Sequence, residues 1–360
     1  MKRPSGTVLA WLWAALLLEA ASRGALSIEA VRTRILGNDA TSYRIAWIHR
    51  GALPGVAYIF DEYHPIRGWT LRPGIRDAVV FGDRILNTNA KGLRGVAEYD
   101  YARQEEEKRV LVLGDSFTFG EEVSDDETYP AILSALLPRT EILNLGEHGY
   151  GHDQMTLYFE EEGEKYRPDL VVLGFLPLDM ERNTMEFRDF AKPLFRLEAA
   201  GGLRLTHTPV PTAEAVRARE PYRSRLVDLV AMLFERFRAV SGSADREERR
   251  VTAAILGRLR DDVRRVGARL LLAYLPAWHE LEPGGETGGE DFFREVCRGE
   301  GFECVDLRPS FQEAVAHGDH FKTSGHWNRR EHRKAAELLA PRIAALLDGP
   351  KTPPPSRASR

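Results

Sequence analysis

The chain has 360 residues, 43% hydrophobic and 29% charged, with a formal net charge of −4. That is enough for one large domain with elaborations, and too apolar for a disordered polymer. Its arginines are scattered, often beside acids, so no basic stripe argues for nucleic acid as a partner.

Residues 1–25 read as an address. Lys2 and Arg3 precede the apolar run Thr7–Leu18, and Glu19 and small residues follow. This order of charged, apolar and small segments predicts a signal peptide or a membrane anchor. The run falls short of the ~20 residues of a spanning helix, so a cleaved signal, a retained anchor and a buried N-terminal helix remain the alternatives. The first two place the rest of the chain outside the cytoplasm, with membrane contact expected only through that anchor.

Residues 26–105 form a predicted β-rich extension that packs on the core. Val56–Phe60 ("VAYIF") and Asp77–Gly82 ("DAVVFG") look like strands, and Asn87–Gly95 ("NTNAKGLRG") reads as turns. Asn89 and Arg94 there are candidates to brace the functional face.

From 106 to 348 the pattern becomes α/β. The short apolar runs 109–115, 140–146, 169–175, 268–276 and 302–307 suit strands of a mainly parallel sheet covered on both faces. Between them, 124–138 opens with the capping pair Ser124 and Glu127. The segment 245–267 has helical spacing closed by Gly267, and 328–347 is a last helix. An insertion at about 190–211 predicts a hairpin turning at "AAGG", either a substrate-side flap or packing. Residues 349–360 are expected to be a disordered tail. The two cysteines, Cys297 and Cys304, either pair in an oxidising compartment or are small buried thiols.

The run 110–113 stops at Gly114-Asp115-Ser116. A serine between a strand and a helix either ends the strand or presents a nucleophilic hydroxyl beside backbone N–H donors. Here "VLVLGDSFTFGEEVSDDETYP", "ILNLGEHGYGHDQ", "YRPDLVVLGFLPLDMERN" and "SGHWNRREHRKAAELL", in this order over roughly Asn87–Leu347, resemble the SGNH or GDSL-type hydrolase superfamily. The resemblance implies a flavodoxin-like three-layer α/β/α sandwich that hydrolyses or transfers esters. It implies Ser116 as nucleophile, His326 as base, and the N–H groups of Ser116 and Gly149 as oxyanion donors.

Two positions depart from that pattern. Leu178 stands where an asparagine oxyanion donor is expected, beside a matching Asp179, with Asn183 five residues on. The aspartate expected just before the histidine is replaced by Thr323 and Ser324, leaving Asp306, Asp319 or Ser324 as candidate supports. Asp115 and Asn144 are expected to support the loops. His148, His152 and Asp153 are weak metal candidates, His320 with Asp319 an alternative base pair, and His332 a packing residue. Trp278 and His279 are candidate pocket residues.

The reading is an exported esterase or O-acyltransferase acting on a small-molecule or polysaccharide ester, with neither metal nor cofactor. The alternative is a catalytically silent protein of this fold that binds a glycan or a protein partner.

Overall fold

The computed structural model describes residues 6–51, 56–102, 107–199, 201–281, 288–299, 301–321 and 325–349. Five strands make the central sheet: β1 (Lys108–Gly114), β2 (Thr140–Gly146), β3 (Leu170–Phe175), β4 (Arg269–Tyr274) and β5 (Glu303–Asp306). All neighbours are parallel and the spatial order is β5–β4–β3–β1–β2, the flavodoxin-like order 2-1-3-4-5 read backwards.

Alternation along each strand sorts the side chains into two cores. Val110, Val112, Val172 and Leu271 face the helices Tyr129–Leu136 and Arg329–Asp348, meeting Leu133, Leu339 and Ile343. Leu111, Leu113, Val171 and Leu173 face the other way, toward His152–Glu161, Ser243–Arg265 and Gly288–Gly299. Burial on both faces is why these strands read as unbroken apolar runs. The architecture is a three-layer α/β/α sandwich.

The extension is less β-rich than the sequence suggests. A helix, Ala40–His49, precedes two short hairpins, Asp61–His64 with Gly68–Leu71 and Ala78–Val80 with Arg84–Leu86. Val56–Phe60 is not a strand but a buried turn: Asp61 Oδ2 accepts the Tyr58 N–H (2.6 Å), and Trp47 Nε1 donates to the Val56 carbonyl (2.6 Å). Val56, Ala57 and Phe60 serve burial and not a β-ladder, while Ile59 is 54% exposed.

The inserted hairpin pairs Leu194–Leu197 with Leu203–Thr206, in register Leu194↔Thr206. Phe195 and its neighbours pack on Val251 and Ile255 of the helix Ser243–Arg265, so the hairpin covers that helix. Cys297, near the end of the helix Gly288–Gly299, and Cys304 on β5 form a disulfide. Of the tail, 350–360 lie outside the described residues.

Candidate active site

β1 ends at Gly114, and the helix Ser116–Phe119 begins after a single residue. That residue, Asp115, caps the helix by accepting the Phe117 N–H (3.0 Å). Three glycines make the junction sterically feasible. A β-carbon on Gly114 would stand 1.9 Å from Thr118 Oγ1, one on Gly146 2.2 Å from Phe119 N, and one on Gly174 2.6 Å from Thr118 Oγ1. With no side chains there, the short helix lies directly across the C-terminal ends of β1, β2 and β3. Asn144 ties it down, donating to the Thr118 carbonyl (3.1 Å) while accepting the Gly146 N–H (2.9 Å). Ser116 is buried on this helix, its hydroxyl 3.3 Å from Asp115 Oδ2.

The hydroxyl has a second neighbour. His326 Nε2 lies 2.9 Å from Ser116 Oγ, although 210 residues separate them. The sequence Gly-His-Trp-Asn explains how the ring is aimed. Trp327 is buried between Phe117 and Phe311, and its Nε1 donates to the Pro276 carbonyl (3.0 Å). Asn328 caps the helix Arg329–Asp348 by accepting the Arg330 N–H (2.7 Å), and Glu331 returns a bond to the Asn328 N–H (2.8 Å). His326 immediately precedes a buried anchor and a helix cap. His332, one turn into that helix, accepts the Tyr129 N–H (3.2 Å), and burial pushes its imidazole down to about 3, so it packs as a neutral ring.

The carboxylates nearest His326 are not those read from the sequence. Asp306 accepts the Arg308 N–H (3.0 Å) and lies 3.7 Å from Arg294, at the edge strand β5. Asp319 is exposed in the turn after the helix Arg308–Ala316. Asp179 is bound to Arg182, and Ser324 lies outside the described residues. Instead Glu122 Oε1 lies 3.7 Å from His326 Nδ1, and Glu121 Oε2 lies 3.6 Å from Nε2. Both are approaches and not hydrogen bonds. Both glutamates sit on the loop that follows the serine helix, and Arg94 of the extension clamps that loop. Its guanidinium donates to the carbonyls of Phe119 (2.7 Å), Gly120 (2.6 Å) and Val123 (2.7 Å) and pairs with Asp125. Asn89 shapes its own turn, accepting from Lys91 and Leu93.

Arg182 is a second residue that the sequence reading passed over. It stands on the helix Leu178–Arg182 and is buried. Its Nη1 donates to Asp115 Oδ2 (3.1 Å), Asp179 Oδ1 (2.5 Å) and the Tyr150 carbonyl (3.0 Å). One guanidinium therefore joins the carboxylate before Ser116 to the loop that carries Gly149. The Asp179–Arg182 spacing of three on a helix is the trace this pair leaves in the sequence. Burial, reinforced by the nearby Asp115, pushes the Asp179 carboxyl well up against the pull of Arg182.

Gly149 has φ +70°, and a β-carbon there would lie 1.8 Å from Asp189 Oδ2, so only glycine fits. Leu178 is half exposed at the start of its helix. Asn183 does not take the missing asparagine's place: its Nδ2 faces Thr252 (2.8 Å) and His152 (3.1 Å), and its Oδ1 accepts the Asp153 N–H.

The candidate metal residues go separate ways. His148 Nε2 bonds Asp61 (2.7 Å), His152 bonds Asn183, and Asp153 forms a fully buried pair with Lys192. Burial would push the His148 imidazolium down, but the Asp61 carboxylate overrides it and holds it at about 9. The extension seals this loop: Trp69 donates to the His148 carbonyl (3.0 Å), and Glu147 accepts from Thr70 (2.9 Å) and the Leu71 N–H (3.1 Å). A cleft of about 540 Å3 opens beside Glu122, with His320, Arg84, Arg329 and Arg330 on its walls. His279 borders a smaller one of about 240 Å3 beside Leu178, and Trp278, 36% exposed, is not among the residues lining it.

A serine after the first core strand, a histidine just before the last helix and strand order 2-1-3-4-5 are what the sequence resemblance implies. The fold is a three-layer α/β/α sandwich on a parallel sheet of flavodoxin-like order. Solved structures with a similar fold include a lipolytic protein of the G-D-S-L family from Veillonella parvula (13% identity, TM-score 0.38, covering 66% of this chain and 98% of that one). Others are TesA (15%, TM-score 0.41, 66% and 99%) and the acetylxylan esterase Axe2 from Geobacillus stearothermophilus (12%, TM-score 0.38, 69% and 98%). No family model and no curated protein matches the sequence. These similarities concern architecture; the chemistry must be argued from the side chains.

Proposed function

We propose that this chain is an exported serine esterase or O-acyltransferase acting on polar acyl esters such as those of a polysaccharide. The observation that carries the reading is the 2.9 Å approach of His326 Nε2 to Ser116 Oγ, at the C-terminal edge of the parallel sheet where such folds place their ligands.

His326 takes the Ser116 proton as Oγ attacks the ester carbonyl carbon. The negative charge gathers on the carbonyl oxygen, which faces the N–H groups of Ser116 and Gly149. Collapse expels the alcohol, which receives the proton from His326, and leaves an acyl–Ser116 ester. Water or a sugar hydroxyl, deprotonated by the same imidazole, then takes the acyl group and frees the serine. Arg182 neutralises Asp115, so that the carboxylate next to the nucleophile does not oppose the developing oxyanion. Glu122 faces Nδ1, where a carboxylate steadies the imidazolium.

The charged walls of the larger cleft favour a hydrated, polar alcohol over a long acyl chain on that side. The disulfide and the apolar N-terminal helix support export. The test is turnover of p-nitrophenyl acetate by wild type and Ser116→Ala. The proposal expects release of nitrophenol by wild type and a loss of at least about 10³-fold in the variant. Equal rates would assign any hydrolysis to another group, and no turnover by wild type would favour a binding protein on the same fold.

A further inference from the structure

The helix Arg225–Val240 is built inside out. Its inward side carries Asp228, which is buried and paired with Arg44 (2.8 Å) and Arg225 (2.7 Å). Its outward side carries Val227, Val230, Leu233, Phe234, Phe237 and Val240, from 51% exposed at Leu233 to 75% at Val240. At 3.6 residues per turn these six fall within an arc of about 140°, and no charged residue of the helix falls inside it. A soluble surface helix has the opposite arrangement. An apolar patch this large and continuous is an interaction surface.

What covers it is indicated by its neighbour. The helix Gly6–Ser27 lies alongside and runs the same way: Glu19 accepts from Ser224 Oγ (2.7 Å) and the N–H groups of Arg225 and Leu226, and Leu26 packs with Met232. Only the C-terminal part of that helix is docked. Trp11, Trp13 and Leu17 stand 62–74% exposed, and the helix is long and apolar enough to cross a membrane. The stretch Gly6–Leu18 carries no charged residue and is exposed on nearly all sides, which calls for a fluid apolar phase and not for a single flat protein face. Tyr222, 90% exposed just ahead of Arg225–Val240, and Arg236 beside the arc suit the headgroup level.

We infer that Arg225–Val240 lies in the plane of a lipid bilayer, its apolar arc among the acyl chains and Gly6–Ser27 beside it. Membrane contact then involves two elements distant in sequence and not an N-terminal anchor alone. The only two cysteines are disulfide-bonded, so Val230→Cys, Phe237→Cys and, as a control, Asp83→Cys each give the full chain one free thiol for a nitroxide label. Collision of each label with oxygen and with a water-soluble nickel chelate is measured with and without vesicles of phosphatidylethanolamine and phosphatidylglycerol. On adding vesicles, the oxygen-to-nickel ratio should rise about tenfold or more at 230 and 237 and stay constant at 83, as for side chains entering the acyl region. An unchanged ratio at 230 and 237 would leave the arc in water and overturn the proposal. So would low access to both reagents without vesicles, because a second copy or another protein would then cover the arc.

Discussion

The two halves of the candidate site are held in different ways. On the serine side every group is fixed: Asp115 caps its helix and meets Arg182, Asn144 ties helix to strand, and three strand-end glycines admit no β-carbon. On the histidine side the backbone is anchored by Trp327 and Asn328, but the ring is 26% exposed and its carboxylates stand 3.6–3.7 Å away. The difference teaches that the Ser116 side is organised by side-chain bonds of the fold, whereas the His326 ring is aimed through its backbone neighbours, with both carboxylates beyond hydrogen-bond distance.

The strongest way to break this contrast is Arg182→Met. It leaves the buried Asp115 carboxylate without its cation and Asp179 without its hydrogen-bond donor, and uncompensated buried charge costs about 3–5 kcal/mol. Chemical denaturation should show a loss of that order together with loss of turnover. Full stability in the variant would mean that the serine side is not organised through Arg182.

Second in size is a pH effect beneath the same side. The His148 imidazole titrates at about 9 in the fold against 6.5 unperturbed, so the folded state binds the proton more tightly. Its contribution, on the order of 3 kcal/mol, is complete below about pH 6.5 and is lost as pH rises through about 9. The Tm advantage of wild type over His148→Gln should shrink between pH 7 and pH 10. A gap independent of pH would contradict a charged His148–Asp61 pair.

The smallest effect belongs to the histidine side. Glu122→Gln should lower kcat about tenfold, equivalent to ~1.4 kcal/mol, with KM and Tm nearly unchanged. Glu121→Gln should do less, because Glu121 stands nearer Nε2, the atom engaged with Ser116. If Glu121→Gln proves the more damaging, the roles of the two carboxylates are reversed.

The core was legible because its strands are buried on both faces, so apolar runs such as Val110–Leu113 announce themselves. Ser116 and His326 were singled out by the resemblance of the motifs around them, and the fold brings the two side chains together. Glu122 and Arg182 were not. Both meet their partners across folded space: Glu122 approaches His326 from the loop that follows the serine helix, and Arg182 reaches Asp115 from another helix. Val56–Phe60 misled because burial in a turn and burial in a strand use the same residues. The outward apolar arc of Arg225–Val240 has ordinary helical spacing, and only the fold reveals which side faces out.

The central claim, that Ser116 and His326 act as one chemical unit, is tested most directly by the rate of modification with a fluorophosphonate, the adduct mapped by mass spectrometry. The account predicts a single adduct on Ser116 in wild type and a rate about 10²–10⁴-fold lower in His326→Ala. No adduct on Ser116, or the same rate in both proteins, would contradict it.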